Sequence, residues 1–566
     1  MTLLNYLLHE RILPIALLGL LTASAITSAA DDPAPAPAAS ISGKWRAAID
    51  RAVDELELTV TFRQRDDGQW AGTIDVPSAG VSNRPLNDIV VHADTLSFSD
   101  AQPGGVLTFT VTVAPGADRM EGEFRNGTST FPFKMMRDDG QFDAPPPPAP
   151  PLALADVTGP PSDRASIALF GQIASRYSSR PPVDAVAELN RRIGNGSVAL
   201  TFDATSGYLR SILDALTIPA ESQMVVFSKS SVQAPRISPA NPRALYFRDD
   251  VVVGFIRGAP FLEFAAADPE QGTIFYTLDQ REVARPQLVR QTGTCLNCHV
   301  SRNTMDVPGM LVRSIVTGPD GRTFEQFGNY NPDDRTPLAQ RWGGWYVTGI
   351  AGTATHMGNS MLVDRDRPET LVRPENLTVM SLSGRFDTAS YASASSDIAA
   401  LMVFEHQAHM GNLLTRMGWD ARAALARAAD SRQGRKLVQS LLDNDARETV
   451  DYLLFVDEAP LAGRVEPSTV FPDTFAAQGP FDRRGRTLRQ LDFVTRLMRY
   501  PCSYLIYSPA FDSLPDQAKD AIYSRMWAIL SGQERAERYR RLSSADRRAI
   551  VEILRDTKGD LPRYFR

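Results

Sequence analysis

The stretch Ala144-Pro145-Pro146-Pro147-Pro148-Ala149-Pro150-Pro151 divides the chain into two regions of different periodicity, and the fold is read outward from it. Consecutive prolines favour extended polyproline II, which spaces domains semi-rigidly. On the N-terminal side, Leu56, Leu58, Val60 and Phe62 alternate with polar residues, Asp66-Asp67-Gly68 is a hairpin turn, and Trp70, Gly72, Ile74 and Val76 resume the alternation. Further strands are expected at 95–98, 106–113, 120–124 and 130–135, so residues 41–137 read as a small antiparallel β barrel or sandwich. On the C-terminal side, residues 163–395 mix a short helix at 207–216 with extended segments at 224–227, 245–247, 251–256 and 273–277. From residue 396 the pattern turns helical: a long helix from 398 through 429, then helices at 437–442, 488–499, 517–530 and 545–554, with Ser544 as the expected N-cap of the last. The class is multidomain α+β, with the helical region 396–566 packing on the mixed region 163–395 and a linker at 138–162.

The mixed region contains Cys295-Leu296-Asn297-Cys298-His299. C-x-x-C-H is the attachment signature of c-type haem. Each thiol adds across one haem vinyl group, and the histidine that follows supplies the proximal imidazole to the iron. The same cysteines could form a redox dithiol or half of a zinc site. A redox motif would need a thioredoxin-like βαβ context, which is not visible around 290–300, and zinc would need a second ligand pair at close spacing. The expected cofactor is therefore one covalent haem c, bound by Cys295 and Cys298 and ligated by His299.

The N-terminus agrees with that chemistry. Residues 12–29 are mostly apolar after Arg11, and Ser28-Ala29-Ala30 supplies small residues for cleavage after Ala30. Export to the periplasm is expected, followed by a short Pro/Ala tether at 31–40. An uncleaved membrane anchor is the competing reading, but Pro14, Thr22, Ser24, Thr27 and Ser28 dilute a run only marginally long enough to span. The 566 residues allow two to four domains. A net charge of −6 argues against a nucleic-acid binder, whose affinity rests on neutralising phosphates. No stable membrane span is expected after cleavage. With two of three cysteines assigned to haem, Cys502 in its apolar setting reads as a buried structural thiol.

Two resemblances add to this. Gly68-Gln69-Trp70-Ala71-Gly72-Thr73-Ile74-Asp75, with Gly122 and Phe131-Pro132-Phe133, loosely resembles the small β-domain that precedes many bacterial α/β-hydrolases. No G-x-S-x-G elbow follows, so hydrolase activity is not carried over. Residues 222–229, 238–250, 341–349, 356–359, 405–407 and 502–508, together with the C-x-x-C-H motif, resemble large bacterial cytochrome c domain-containing proteins. The resemblance covers most of 205–530 and implies haem and export, without a reaction.

The second axial position separates the functions. A Met raises the potential and suits electron transfer, a second His also blocks the iron, and an open site permits oxygen or peroxide chemistry. His356-Met357-Gly358-Asn359 lies in a glycine-rich loop downstream of the motif, so His356 or Met357 is the expected distal ligand. The same tetrapeptide recurs as His409-Met410-Gly411-Asn412 on a helix, where Val403, His406, Met410, Leu413 and Met417 form one apolar stripe. Glu405 and His406 are the candidate catalytic pair if the protein is an enzyme, since a carboxylate beside an imidazole can orient it or move protons. Arg341, Trp342 and Trp345 offer a guanidinium and two indole N–H groups for the haem propionates. Electron transfer to an unknown periplasmic redox partner is the leading expectation. A peroxidase- or oxygenase-like haem enzyme is the first alternative, and a binding or sensing protein with structural haem the second.

Overall fold

The computed structural model describes residues 41–138, apart from 51–54, 77–80, 93, 103–104, 114–117 and 127–128, and residues 177–565, apart from 178, 294, 365 and 428–431. The expected signal, the tether and almost all of the linker lie outside the described residues. The described chain forms two compact units, one on each side of the proline run.

The first unit is all β. Its strands are β1 (Gly43–Asp50), β2 (Glu55–Gln64), β3 (Trp70–Val76), β4 (Val81–Pro85), β5 (Asn87–His92), β6 (Thr95–Gln102), β7 (Gly105–Thr112), β8 (Arg119–Asn126) and β9 (Ser129–Arg137). They form one antiparallel sheet in the order β4-β3-β2-β1-β9-β8-β7-β6-β5. The sheet curls until Leu86 N–H, just before β5, donates to the Gly72 carbonyl of β3 at 2.9 Å, giving a nearly closed barrel. The period-two pattern sends alternate side chains inward. Trp45, Val60, Phe62, Phe98, Phe109, Phe133 and Met135 are buried together. Phe98 stacks on Phe109 at 4.7 Å between centroids, and Phe133 lies 4.9 Å from Phe109. The turn Asp66-Asp67-Gly68 forms as read, with Gly68 at φ +82° and its N–H donating to Arg65. Because each unit has its own apolar core, cleavage in the Pro145 to Pro151 run is expected to release the β unit folded. Limited proteolysis followed by mass measurement checks this, and preferential cutting within 177–565 would count against it.

The second unit is built on a sheet covered on both faces. Its strands are β10 (Met224–Val226), β11 (Arg243–Arg248), β12 (Val251–Ile256), β13 (Phe261–Asp268), β14 (Gly272–Asp279) and β15 (Leu288–Gln291). They run antiparallel in the order β15-β14-β13-β12-β11-β10, and the short strand Trp345–Tyr346 extends the β10 edge. Burial on both faces explains why β12 reads as an unbroken apolar run, Val-Val-Val-Gly-Phe-Ile. One face packs on helices α1 (Ala185–Gly194) and α2 (Leu209–Ala215). The other carries Leu245, Phe247, Val252, Ala265 and Phe275, and shares one core with the C-terminal helices.

Those helices are α4 (Ile398–Arg427), α5 (Arg432–Leu453), α6 (Phe471–Ala476), α7 (Pro509–Asp512), α8 (Asp516–Leu530) and α9 (Ser544–Thr557); α3 is the single turn Leu296–His299. Asp397 starts α4: its Oδ1 accepts from Ala399 N–H at 2.7 Å, and its Oδ2 accepts from Thr469 N–H at 2.7 Å. The stripe Val403, His406, Met410, Leu413 and Met417 is buried, as expected for core. Among the described residues no helix is long and apolar enough to cross a membrane.

Two local expectations are corrected. Residues 488–499 are irregular, not helical. Asp492 Oδ1 accepts from Val494 and Thr495 N–H at 2.8 and 2.9 Å, and Phe493 takes φ +61°. This side-chain turn offers the backbone an alternative to helix that apolar spacing does not reveal. The N-cap of α9 is Ser543, not Ser544: Ser543 Oγ accepts from Asp546 N–H at 3.1 Å, and Asp546 returns a bond to Ser543 N–H.

Candidate functional site

The turn Cys295–His299 follows β15; both its cysteines are half-buried, and Cys295 and Leu296 pack against the main core. Burial pushes the Cys295 thiol up to about 11. A redox dithiol needs a lowered thiol pKa, so this setting weighs against that alternative. Among the described residues no group of three or more His, Cys, Asp or Glu side chains could hold a metal ion, so the zinc alternative gains no second ligand pair.

His299 is held at one ring nitrogen. Its Nδ1 lies 2.9 Å from the Gly309 carbonyl, and Phe275 of β14 packs against the ring at 4.6 Å between centroids. Burial lowers the imidazole pKa and favours the neutral form. The carbonyl requires the proton on Nδ1, so the lone pair of a neutral ring resides on Nε2. This is the arrangement that metal-ligating histidines use: one nitrogen orients, the other ligates.

The loop carrying Gly309 is clamped from three sides. Gly309 N–H donates to the His299 carbonyl at 3.0 Å, and Thr273 N–H donates to Pro308 at 2.8 Å. Asn412 of α4 accepts from Met310 N–H at 3.0 Å and donates to its carbonyl at 2.8 Å. A Cβ on Gly309 would lie 2.2 Å from Asn412 Oδ1, so only glycine fits there. Asn412 belongs to the second His-Met-Gly-Asn tetrapeptide. The readable signal was the Pro308-Gly309 step shortly after the motif.

The other expected site residues are engaged elsewhere. Met357 packs with Val316 and Leu362, a cluster separate from the one that receives Cys295, and its sulfur accepts from Ser314 Oγ at 3.7 Å. His356 is buried edge-on to Trp342 at 5.2 Å, accepts from Gly358 N–H at 3.1 Å, and is lowered by burial to about 4. None of these partners belongs to the Cys295–His299 turn. Arg341 donates to Glu405 at 2.9 Å and to the carbonyls of Thr336 and Asp334 at 2.7 and 3.0 Å. Trp345 Nε1 donates to the Arg313 carbonyl at 2.7 Å, while Trp342 Nε1 is buried without a hydrogen-bond partner among the described residues. The guanidinium and one of the two indoles expected to meet propionates therefore have their donors committed within the protein.

Glu405 and His406 sit in a second, sealed cluster that the sequence did not assemble. His406 Nδ1 lies 3.1 Å from Asp334 Oδ2, and its Nε2 lies 2.7 Å from Ser503 Oγ. The ring is sandwiched between Phe455 at 4.3 Å and Tyr452 at 5.2 Å, and the Tyr452 hydroxyl donates to Asp334. The connectivity is that of an acid–base–nucleophile relay. Ser503 is fully buried, however, and its Oγ also caps the turn Tyr504–Tyr507 by accepting from Leu505 N–H. The adjoining cavity of about 240 Å³ is lined by Asp334 and Tyr452 but not by His406 or Ser503. The cluster ties α4 and α5 to the loops around residues 334 and 503.

Burial raises Glu405 from 4.5 to about 7, against the opposing pull of Arg341. A carboxyl with a raised folded pKa holds a proton that the unfolded chain has lost, so its contribution is complete below pH 4.5 and disappears as pH rises through about 7. Across that window the thermal midpoint of the wild type is expected to fall more steeply with pH than that of Glu405→Gln. Parallel pH profiles would contradict the assignment.

Family models, curated proteins and solved structures were all compared with this chain, and none matches it.

Proposed function

We propose that this chain is an exported c-type haem protein, with haem joined to Cys295 and Cys298 and its iron held by His299, and that it transfers electrons to a periplasmic partner. The single observation that carries the reading is the Nδ1 contact of His299 with the Gly309 carbonyl at 2.9 Å, inside an intact C-x-x-C-H turn. It orients the imidazole and reserves Nε2, and Asn412 and Thr273 hold the loop that supplies the carbonyl. When bound, the haem supplies one-electron chemistry. Covalent attachment of this kind takes place on exported chains, in agreement with the apolar segment at 12–29. The net charge of −6 argues against a nucleic-acid partner.

The engagement of Met357 by Ser314 and of both His406 nitrogens favours one further reading, a haem enzyme whose distal position is open. Wild-type protein purified from a periplasmic expression host tests both. Haem that persists on a denaturing gel is the expected result, and stoichiometric zinc without haem would replace the proposal. A red charge-transfer band assigns methionine to the iron, and its loss in Met357→Ala assigns Met357. Carbon monoxide uptake by the reduced wild type without such a band instead supports the open site.

A further inference from the structure

The peptide between Gly309 and Met310 joins two clasps. On one side Gly309 holds His299: its N–H donates to the His299 carbonyl at 3.0 Å, and its carbonyl lies 2.9 Å from His299 Nδ1. On the other side Asn412 of α4 holds Met310: its Oδ1 accepts from Met310 N–H at 3.0 Å, and its Nδ2 donates to the Met310 carbonyl at 2.8 Å. The Gly309 carbonyl and the Met310 N–H belong to one planar amide, joined by resonance. The oxygen that meets His299 and the N–H that meets Asn412 are therefore opposite ends of the same dipole.

Hydrogen bonds in series polarise one another. An acceptor on the Met310 N–H draws charge toward the Gly309 oxygen and makes it a stronger acceptor for the His299 Nδ1 proton. A stronger bond at Nδ1 raises the donor strength of Nε2, because the two ring nitrogens share one π-system. The carboxamide is fixed in this part. Asn412 is only 3% exposed, and its helical neighbours Met410 and Leu413 are buried in the main core. A Cβ on Gly309 would meet three atoms of Asn412, at 2.2, 2.8 and 3.2 Å, so loop and carboxamide are packed without slack.

We propose that Asn412 is a positioning residue that sets the potential of the haem through the 309–310 peptide and the His299 ring. This rests on the haem reading above and deepens it, since it assigns to α4 a control over the iron exerted from outside the attachment turn. A stronger Nε2 donor favours the ferric state, so the carboxamide holds the potential down.

The test is the midpoint potential of the intact protein. Both cysteines and His299 remain in every variant, so covalent haem on a denaturing gel is the common control. Asn412→Ala is expected to raise the potential. A merely structural gap at that position would have the opposite effect: it would admit water, which favours the more highly charged ferric iron and lowers the potential. Asn412→Asp keeps an oxygen for the Met310 N–H and should remain at or below the wild-type value. Gly309→Ala should push the carboxamide off the peptide and raise the potential from the other side. In the Asn412→Ala background it should add nothing, because the atoms its Cβ would meet are gone. A fall or no change in Asn412→Ala, or a rise in Asn412→Asp, overturns the assignment. If Asn412→Ala fails to fold, Asn412→Ser, too short to make both bonds to Met310, takes its place with the same expectations. Haem with unmoved potentials would remove only the role of Asn412, whereas absence of covalent haem in the wild type would remove the function proposed above.

Discussion

Cys295→Ala combined with Cys298→Ala is expected to abolish all haem that survives denaturing electrophoresis. The effect would be all-or-none because, in the attachment proposed, each thioether bond requires its own sulfur. Each single variant should retain one attachment point and a weakened stain, with the α-band displaced because one vinyl group stays unreacted. His299→Ala separates attachment from ligation: the thiols persist, but the imidazole oriented by Gly309 is gone. Persistent covalent haem in the double cysteine variant would refute the cofactor assignment. The fold should tolerate the double change, since both cysteines are only half-buried and each alanine removes a single sulfur.

Arg341→Ala is expected to produce the largest stability loss among the substitutions considered. Arg341 and Glu405 are 3% and 1% exposed and 2.9 Å apart. Removing one partner of a buried ion pair costs about 3–5 kcal/mol, because the other charge is left without compensation. Here the loss should grow as pH rises through about 7, where Glu405 ionises in the wild type, and be smaller in mild acid, where it holds a proton with or without Arg341. Arg341 also serves two carbonyls, Thr336 and Asp334, which lose their donor at the same time. Urea unfolding of Arg341→Ala, Glu405→Met and the double variant checks this. The double variant should be less destabilised than the sum of the singles, and a loss below about 1 kcal/mol for Arg341→Ala would place the pair among weak, solvent-screened bridges. The haem stain should be unaffected in variants that fold, since neither residue belongs to the Cys295–His299 turn.

The barrel-like unit was legible because its pattern is local. Alternation from Leu56 to Phe62, the Asp66-Asp67-Gly68 turn and the return through Trp70 to Val76 specify a hairpin without reference to anything distant. The long helix at 398–427 was legible for the same reason. The helix expected at 488–499 failed because a single carboxylate, Asp492, bonds the backbone ahead of it, and apolar spacing carries no trace of that competition.

The site divides along the same line. Cysteine and histidine spacing in 295–299 is covalent-scale information, so the attachment reading needed only the sequence. The partners of those residues come from far along the chain: Asn412 reaches Met310, Phe275 reaches His299, and the relay around His406 joins Asp334 to Ser503. Arg341 illustrates the difference. Its closeness in sequence to the motif pointed toward propionates, but the fold buries it against Glu405, a carboxylate that would be costly to leave unpaired in that core. What this chain's sequence determined by itself was therefore its local periodicity, and the proposed attachment rests on the spacing within 295–299. Tertiary structure alone decided which groups hold that turn, Phe275 and the Gly309 loop among them, since packing and pairing depend on neighbours that only folding brings together.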